Sequence, residues 1–298
     1  MTAILTAWVF EPSVLAGVAL TLLTGRRGRP PGTGRIVAFM LGLLLLLLAL
    51  LSPLDLLADG YLLSAHMIQH LLLLAAVPPL LILGVPRWVW RAVVATRPGD
   101  LAERLLGQPL VAFVLYTAVL TVWHLPPYYD AALDDERVHI VEHLCFLLAA
   151  TIFWWVTLAP LPERDRPGPF GRVLYLFAAG IPNTVVAAAL TFAPQPLYAP
   201  YVAPADPRGL LPLIRQGWGL TALADQQLAG VLMWIPMGLL LSGLALLILV
   251  RALDGPPAAR PRGRAGAGPR ALPLHRKSSG CRRPPGVRSQ RYWQGREC

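Results

Sequence analysis

Two short runs in this 298-residue chain carry pairs of histidines at a spacing suited to metal binding. His66 and His70 form one pair, and His139 and His143 form the other. In a helix, residues four apart lie on one face, so each pair presents two imidazole rings side by side. Both pairs occur in apolar stretches, where polar side chains are costly and usually face the protein interior. These histidines are therefore the first candidates for chemistry.

The predicted site is a metal centre with imidazole ligands. The candidate ligands are His66, His70, His124, His139 and His143, and supporting roles are expected for Met67, Gln69, Glu142, Asp225 and Gln226. Neutral imidazoles bind copper, zinc, iron and nickel, and neighbouring carboxylates or amides can orient the rings. Met233 and Met237 could add thioether contacts, which Cu(I) prefers. Copper is the expected metal, with zinc as the alternative.

The helices that must position these residues are those of a polytopic membrane protein, as the composition indicates. Hydrophobic residues make up 55% of the chain, charged residues 14%, and the mean hydropathy is +0.55. Several windows reach the roughly 20 apolar residues that cross about 30 Å of hydrocarbon. We predict an all-α bundle of seven transmembrane helices, at residues 5–24, 36–57, 62–83, 110–124, 138–158, 173–192 and 228–250. Pro78 and Pro79 should kink the third span.

Arginine and lysine are distributed unequally between the predicted loops. Of the 26 basic residues, 23 lie in the loops after spans one, three and five or in the C-terminal tail, and three lie in the alternate loops. Because cytoplasmic loops are enriched in Lys and Arg, the N-terminus is expected outside and the C-terminus in the cytoplasm. This topology places all five candidate histidines in the outer half of the membrane, beneath an acidic loop at residues 130–136 that could gather cations.

The chain divides into a transmembrane domain, residues 1–254, and a tail, residues 255–298. The tail is rich in Arg, Pro and Gly and poor in aliphatic residues, so we expect it to be disordered. Although the net charge is +10, the basic residues follow membrane topology, which argues against nucleic acid as a partner. Anionic lipid headgroups are a possible partner for the tail. The three cysteines have no paired spacing and are taken as structural.

Three alternatives to a copper site remain open. The run from His139 to His143 matches H-x-x-E-H, a pattern in which two histidines bind zinc and the glutamate activates water for hydrolysis. The histidines could instead ligate haem, although a two-haem bundle needs histidines at two depths. A proton relay or a set of interhelical hydrogen bonds is the third alternative.

Several further motifs follow one another along the chain. They are His66-Met67-Ile68-Gln69-His70 with Pro79 and Gly84-Val85-Pro86, Trp123-His124-Leu125-Pro126 with Tyr129-Asp130, His139 to His143, Pro182-Asn183, Leu197-Tyr198 with Tyr201, and Asp225 to Gly230 with Met233-Trp234. In these motifs the chain resembles the seven-span CtaG-type cytochrome c oxidase assembly factors of bacteria, over about residues 1–250. The resemblance does not extend to the arginine-rich tail.

This resemblance implies a non-enzymatic role in maturing a haem–copper oxidase in the bacterial plasma membrane. The expected partners are apo subunits of cytochrome c oxidase that will carry the copper centre, together with membrane lipid. The five histidines would then be the residues that handle copper. The hypothesis from the sequence is therefore an assembly factor that binds or delivers copper through a histidine cluster in the outer leaflet.

Overall fold

The computed structural model describes residues 32–158, 160–161 and 167–254, and every regular element in these ranges is helical. In chain order the α-helices are α1 (Thr33–Leu51), α2 (Pro53–Gly60), α3 (Leu63–Leu71), α4 (Val77–Gly84), α5 (Arg87–Val94), α6 (Arg97–Leu106), α7 (Pro109–Trp123), α8 (Pro126–Asp134), α9 (Glu136–Leu158), α10 (Pro169–Phe192), α11 (Ala199–Val202) and α12 (Ala222–Asp254). Two short π-helical segments, Leu72–Ala76 and Leu213–Gly217, complete the described elements. The all-α prediction is confirmed for this part of the chain.

Five helical stretches in the described ranges are long and apolar enough to cross a membrane. Four of them are α1, α9, α10 and α12. The fifth is the continuous helical stretch Leu63–Gly84, which includes α3 and α4. Helices α6 and α7 meet at 80° and would make a sixth span if they count as one. The first predicted span, residues 5–24, and the tail, residues 255–298, lie outside the described residues. Seven spans and their orientation therefore stay predictions.

A π-helical segment marks the place where the third span was predicted to kink. Leu72–Ala76 is π-helical and leads into α4, whose first turn contains Pro78. Proline has no N–H and its ring clashes with the preceding turn of an α-helix. The wider π turn accommodates it and often occurs beside functional sites. Here it follows directly after the helix that carries His66 and His70.

Two close helix contacts depend on glycine. A Cβ on Gly230 of α12 would lie 2.3 Å from Thr191 Oγ1 and 2.7 Å from the Ala187 carbonyl oxygen of α10. A Cβ on Gly84 would lie 2.6 Å from the backbone nitrogen of Phe39 in α1. Small residues let membrane helices approach until their backbones nearly touch. These contacts fix α10 against α12 and α4 against α1.

The loops between the long helices contain short helices at both ends of the bundle. At the end away from the histidines, the Trp155 indole donates to Glu103 Oε2 at 2.6 Å, which ties α9 to α6. At the histidine end, the acidic loop predicted at residues 130–136 is mostly helical, because residues 130–134 belong to α8, in which Tyr129 and Ala132 are buried. Helix α8 therefore covers the histidine end of the bundle.

Candidate metal centre

The five candidate histidines lie together at one end of the bundle, although three separate helices supply them. Helix α3 carries His66 and His70, α9 carries His139 and His143, and His124 directly follows α7. Their exposed fractions range only from 0% to 8%. We call these five residues the histidine cluster. Their burial means that every ring nitrogen needs a partner inside the protein.

The rings of the histidine cluster contact one another across the helices. The ring centroids of His139 and His143 are 4.1 Å apart, and those of His66 and His139 are 5.3 Å apart. The His70 ring is 5.7 Å from both His143 and His124. The Nε2 atoms of His66 and His70 are separated by 2.8 Å. Such direct ring contacts leave no space for a porphyrin between the histidines, so they do not favour haem.

Glu142 lies in the middle of this cluster. Ligand atoms of His66, His139, Glu142 and His143 all fall within 4.8 Å of one another. The Glu142 side chain is fully buried, and neither carboxylate oxygen has a hydrogen-bond partner among the described residues. Oε2 lies 3.8 Å from His66 Nε2, and Oε1 lies 3.7 Å from His70 Nε2. Because an unpartnered buried carboxylate is costly, a cation at this point would stabilise it.

The tautomer of His66 follows from a hydrogen-bond chain through Tyr201. The Tyr201 hydroxyl lies 2.5 Å from the Ala58 carbonyl oxygen and 3.2 Å from His66 Nδ1. A carbonyl can only accept, so the hydroxyl donates its single proton to Ala58. It must then accept from His66 Nδ1–H. The proton on Nδ1 leaves the lone pair on Nε2, the nitrogen that faces Glu142. In the structure this Nε2 accepts from His70 Nε2–H at 2.8 Å, and a metal ion bound at Nε2 would replace that hydrogen bond.

His124 is held in the same tautomer by a backbone carbonyl. Its Nδ1 lies 2.7 Å from the Leu120 carbonyl oxygen, so Nδ1 carries the proton. The buried Nε2 has no hydrogen-bond partner in the described part of the chain. His124 therefore presents a second unprotonated Nε2 towards the interior of the bundle.

The second histidine pair is less tightly fixed. His139 Nε2 lies 3.5 Å from Asp59 Oδ1, without the geometry of a hydrogen bond. His143 Nε2 is buried and has no hydrogen-bond partner among the residues described. One ligand atom of each ring lies within 4.8 Å of a carboxylate oxygen of Glu142. Asp59 of α2 thus lies beside His139 at the histidine end of the bundle.

Gln69, predicted to support the site, holds helix α3 in place. Its amide nitrogen donates to the Ala49 carbonyl oxygen at 2.8 Å and to Asp55 Oδ1 at 2.7 Å. These bonds fix α3 against the end of α1 and against α2. Met67, on the same helix, is 1% exposed and borders a small cavity beside the histidine cluster.

Asp225 and Gln226, the other predicted supporting residues, anchor the ends of neighbouring helices. The Asp225 carboxylate accepts from the backbone N–H groups of Leu63 and Ser64, at 2.7 and 3.3 Å, and from the Ser64 hydroxyl. It therefore caps the N-terminus of α3, where a negative charge is favourable. Gln226 Oε1 accepts from the Leu197 N–H at 2.6 Å. Both residues position the helices that carry or surround the ligands.

Sequence reasoning gave no role to three buried tyrosines that surround the cluster. The Tyr129 ring stacks on Tyr198 at 4.0 Å and lies 5.1 Å from the His66 ring. The Tyr198 hydroxyl donates to the His124 carbonyl oxygen at 2.8 Å. All three tyrosines, including Tyr201, occur in the motifs of the family resemblance. Their position in the motifs was the available signal, but nothing in their spacing indicated contact with histidine.

An acidic cavity of about 860 Å³ lies at the histidine end of the bundle. Its lining includes Asp55, Asp59, Asp130, Asp134 and Arg208. Burial raises the pKa of Asp55 to about 6, and the hydrogen bond from Gln69 opposes this rise. Burial and the negative charges of neighbouring acids also raise the pKa of Asp59. Since Asp59 contacts His139, the acidic cavity adjoins the histidine cluster.

The donor set restricts the chemistry that the site can support. Three imidazole nitrogens and one carboxylate oxygen within 4.8 Å of one another match the coordination number of a four-coordinate ion. Neutral histidines with a carboxylate suit Cu(II) and Zn(II). The tautomer held by Tyr201 on His66 is the kind of outer hydrogen bond that orients metal-binding histidines. The arrangement can therefore bind a divalent cation.

The chain matches a known protein family over most of its length, including the residues of the candidate metal centre. Residues 17–254 match the family described as cytochrome c oxidase caa3 assembly factor. An uncharacterized protein of Mycobacterium bovis is 27% identical over 255 residues, which cover 78% of this chain and 37% of the relative. One of Mycobacterium leprae is 24% identical over 253 residues, with 77% and 37% covered. The chain thus spans under half the length of these relatives. No solved structure matches it significantly.

Proposed function

Because the chain belongs to the cytochrome c oxidase caa3 assembly factor family, we propose that it binds copper at its buried histidine cluster. His66, His139, Glu142 and His143 form the proposed primary site, and His70 and His124 extend it on the inner side. The bound copper is passed to an apo subunit of the oxidase that will hold the copper centre. In this role copper is cargo, and the protein catalyses no reaction of its own.

The observation that carries this proposal is the unpartnered carboxylate of Glu142. Its two oxygens are buried without a hydrogen bond in the described structure, and imidazole Nε2 atoms lie 3.7 and 3.8 Å away. Buried polar atoms in proteins are nearly always satisfied by protein, water or an ion. A metal ion held by the carboxylate and the surrounding imidazoles satisfies all of these groups together.

The acidic cavity supports an entry route for the metal. Its carboxylates attract cations, and charged clefts raise the local concentration of an oppositely charged ligand. Asp59 borders the cavity and also lies 3.5 Å from His139 Nε2. A cation in the cavity could therefore move from oxygen ligands onto the first imidazole without crossing an apolar barrier.

The proposed setting is the bacterial plasma membrane. A seven-span topology with the N-terminus outside and the C-terminus in the cytoplasm would turn the acidic cavity towards the outer face. The oxidase subunit would then receive copper from the side, within the bilayer. The arginine-rich residues 255–298 would contact anionic lipid headgroups at the cytoplasmic face.

Metal analysis of the purified full chain tests this function. Copper and zinc per chain are measured for the wild type and for His143→Ala and Glu142→Gln, and cytochrome c oxidase activity is measured in cells carrying each variant. For protein loaded with Cu(II) in air, we expect about one Cu(II) per wild-type chain, with loss of this Cu(II) and of oxidase activity in both variants. The matched control is His275→Ala, which removes the one histidine outside the cluster.

Two results would overturn the proposal. Wild-type protein without copper, combined with normal oxidase activity in the His143→Ala cells, would exclude a copper-handling role. One zinc per chain together with a hydrolytic activity that Glu142→Gln abolishes would identify the site as a zinc hydrolase. A zinc hydrolase is the expected alternative because His139, Glu142 and His143 keep the H-x-x-E-H order and lie close together.

A further inference from the structure

A second cluster of potential metal ligands lies on the inner side of the histidine cluster. A cavity of about 10 Å³ lies between α3 and α12, and its lining includes Met67, His70, His124, Asn183, Met233 and Met237 beside Leu71 and Leu74. This volume is close to the minimum that holds a single water molecule. The exposed fractions of the three methionines are 1%, 6% and 3%. The cavity is thus small, buried and lined by three thioether side chains.

Two histidines that border this cavity have ring nitrogens available for a ligand. His124 Nε2 is buried and has no hydrogen-bond partner within the described ranges, and the same is true of His70 Nδ1. The His124 Nε2 must carry a lone pair because Nδ1 donates to the Leu120 carbonyl oxygen. In an apolar cavity such a lone pair has no solvent to satisfy it. An ion in the cavity would do so.

The helices hold the methionines in position around the cavity. Met233 and Met237 are four residues apart on α12, so both face the same side of the helix. Asn183 of α10 donates from Nδ2 to the Met233 carbonyl oxygen at 3.3 Å, which fixes this part of α12. Met67 approaches from α3, one residue position after His66. The methionines therefore belong to two helices that are braced against their neighbours.

We propose that Met67, Met233, Met237 and His124 form a separate binding site for a soft monovalent metal ion, Cu(I). Thioether sulfur is a soft ligand that favours Cu(I), whereas nitrogen and carboxylate donors suit divalent ions. The donors of this methionine site are all neutral, so the site suits a single positive charge better than a double one. The histidine cluster contains a carboxylate and has the opposite preference.

His70 connects the two sites. Its ring borders the methionine cavity, and its Nε2 is 2.8 Å from His66 Nε2 in the histidine cluster. The methionine site deepens the proposed function, because it would supply a second resting position for copper within the bundle. The presence of the site is nevertheless independent of oxidase assembly, since it depends only on the donors around the cavity.

Silver(I) is the probe that tests the methionine site, because it is soft, monovalent and does not change oxidation state. All forms of the purified full chain carry alanine at Cys145, Cys281 and Cys298, so that thiols do not compete. Silver affinity is measured by competition with a chelator for the parent and for the double variant Met233→Leu, Met237→Leu. We expect affinity to fall at least about 10-fold in the double variant.

A matched control and a second metal separate binding from folding. Met40→Leu replaces a methionine that is 54% exposed on α1 and should leave silver affinity unchanged. Leucine conserves the volume of methionine, so the variants should keep their fold and unfold at temperatures close to the parent. In Cu(I)-loaded parent protein, X-ray absorption should show sulfur scatterers that the double variant loses.

The outcomes distinguish this inference from the proposed function. Zinc(II) binding reports on the histidine cluster, so it should persist in the methionine variants and disappear in His143→Ala. Silver binding that depends on Met233 and Met237 supports the methionine site even if the chain has no role in copper delivery. Equal silver affinity in the parent, the double variant and the Met40→Leu control overturns the inference.

Discussion

Replacement of Tyr201 by phenylalanine should weaken metal binding without removing a ligand. The Tyr201 hydroxyl connects the Ala58 carbonyl oxygen, 2.5 Å away, with Nδ1 of His66, 3.2 Å away. Tyr201→Phe keeps the ring and deletes only this hydroxyl. The proton of His66 is then no longer held on Nδ1, and the lone pair on Nε2 is no longer directed at the metal position.

The expected size of the effect follows from two separate losses. Deletion of a partner outside the ligand shell typically lowers metal affinity 10- to 100-fold, which corresponds to about 1.4–2.7 kcal/mol. The metal-free protein also loses a buried hydrogen bond and leaves the Ala58 carbonyl without its donor. That loss should lower the free energy of unfolding by about 1–3 kcal/mol. Affinity and stability should therefore both decrease.

The assay is a competition titration of copper against a chelator, with thermal unfolding of the metal-free protein measured in parallel. Tyr128→Phe is the matched control, because Tyr128 lies on α8 near the site but is 51% exposed. The control should bind copper and unfold like the wild type. Unchanged copper affinity in a folded Tyr201→Phe protein would refute the assigned tautomer of His66.

Three further predictions concern the residues that support the site. Asp225→Asn should destabilise the protein by about 1–3 kcal/mol in thermal unfolding, because the charged cap on the N-terminus of α3 at Ser64 is lost. Gly230→Ala should destabilise by about 1–3 kcal/mol, since its Cβ would meet α10. Gly238→Ala on the same helix meets nothing within 4 Å and should be neutral or stabilising. Asp59→Asn should slow copper loading several-fold in stopped-flow measurements, because a carboxylate ligand between the acidic cavity and His139 is lost.

The sequence predicted the main features of the fold because membrane helices have a strong signal. Apolar length predicted the spans that correspond to α9 and α10, and the four-residue histidine spacing placed each pair on one helix face. The predicted start of the last span, Leu228, was less accurate, since α12 begins at Ala222. Asp225 and Gln226 are polar and lowered the local hydropathy, although both are paired inside the protein.

The contacts that hold the site in place could not be predicted from the sequence. Residues 125–137 contain two prolines and four acids, which indicated a loop, yet Pro126 and Pro127 occupy the first turn of α8. The tyrosines then reach the histidines only because α8 and the segment around Tyr198 fold over the end of the bundle. Such contacts join residues more than 60 positions apart, and periodicity carries no information about them.

Two residues that were predicted to support the metal ligands directly, Gln69 and Asp225, instead hold helices in place. Gln69 was expected to support the site because it adjoins His70 along the chain, and Asp225 because it lies at the same predicted membrane depth at the start of the last span, but both bind backbone or side-chain groups of other helices. A polar residue next to a ligand in sequence points about 100° away from it around a helix. Gln69 therefore positions its helix, whereas Glu142, which adjoins His143 along the chain in the same way, belongs to the group of ligand atoms.

Glu142→Gln should show whether the metal site lowers the stability of the metal-free protein while it raises the affinity for copper. Glutamine keeps the shape of Glu142 but removes a carboxyl group that has no hydrogen-bond partner among the described residues. Binding sites commonly retain such groups at the expense of stability. The metal-free variant should therefore unfold at the same temperature as the wild type or at a higher one, whereas the stabilisation produced by added copper should shrink with the loss of affinity. A metal-free variant that unfolds at a much lower temperature would mean that the carboxyl group holds the helices together by itself, and the need for a cation beside it would disappear.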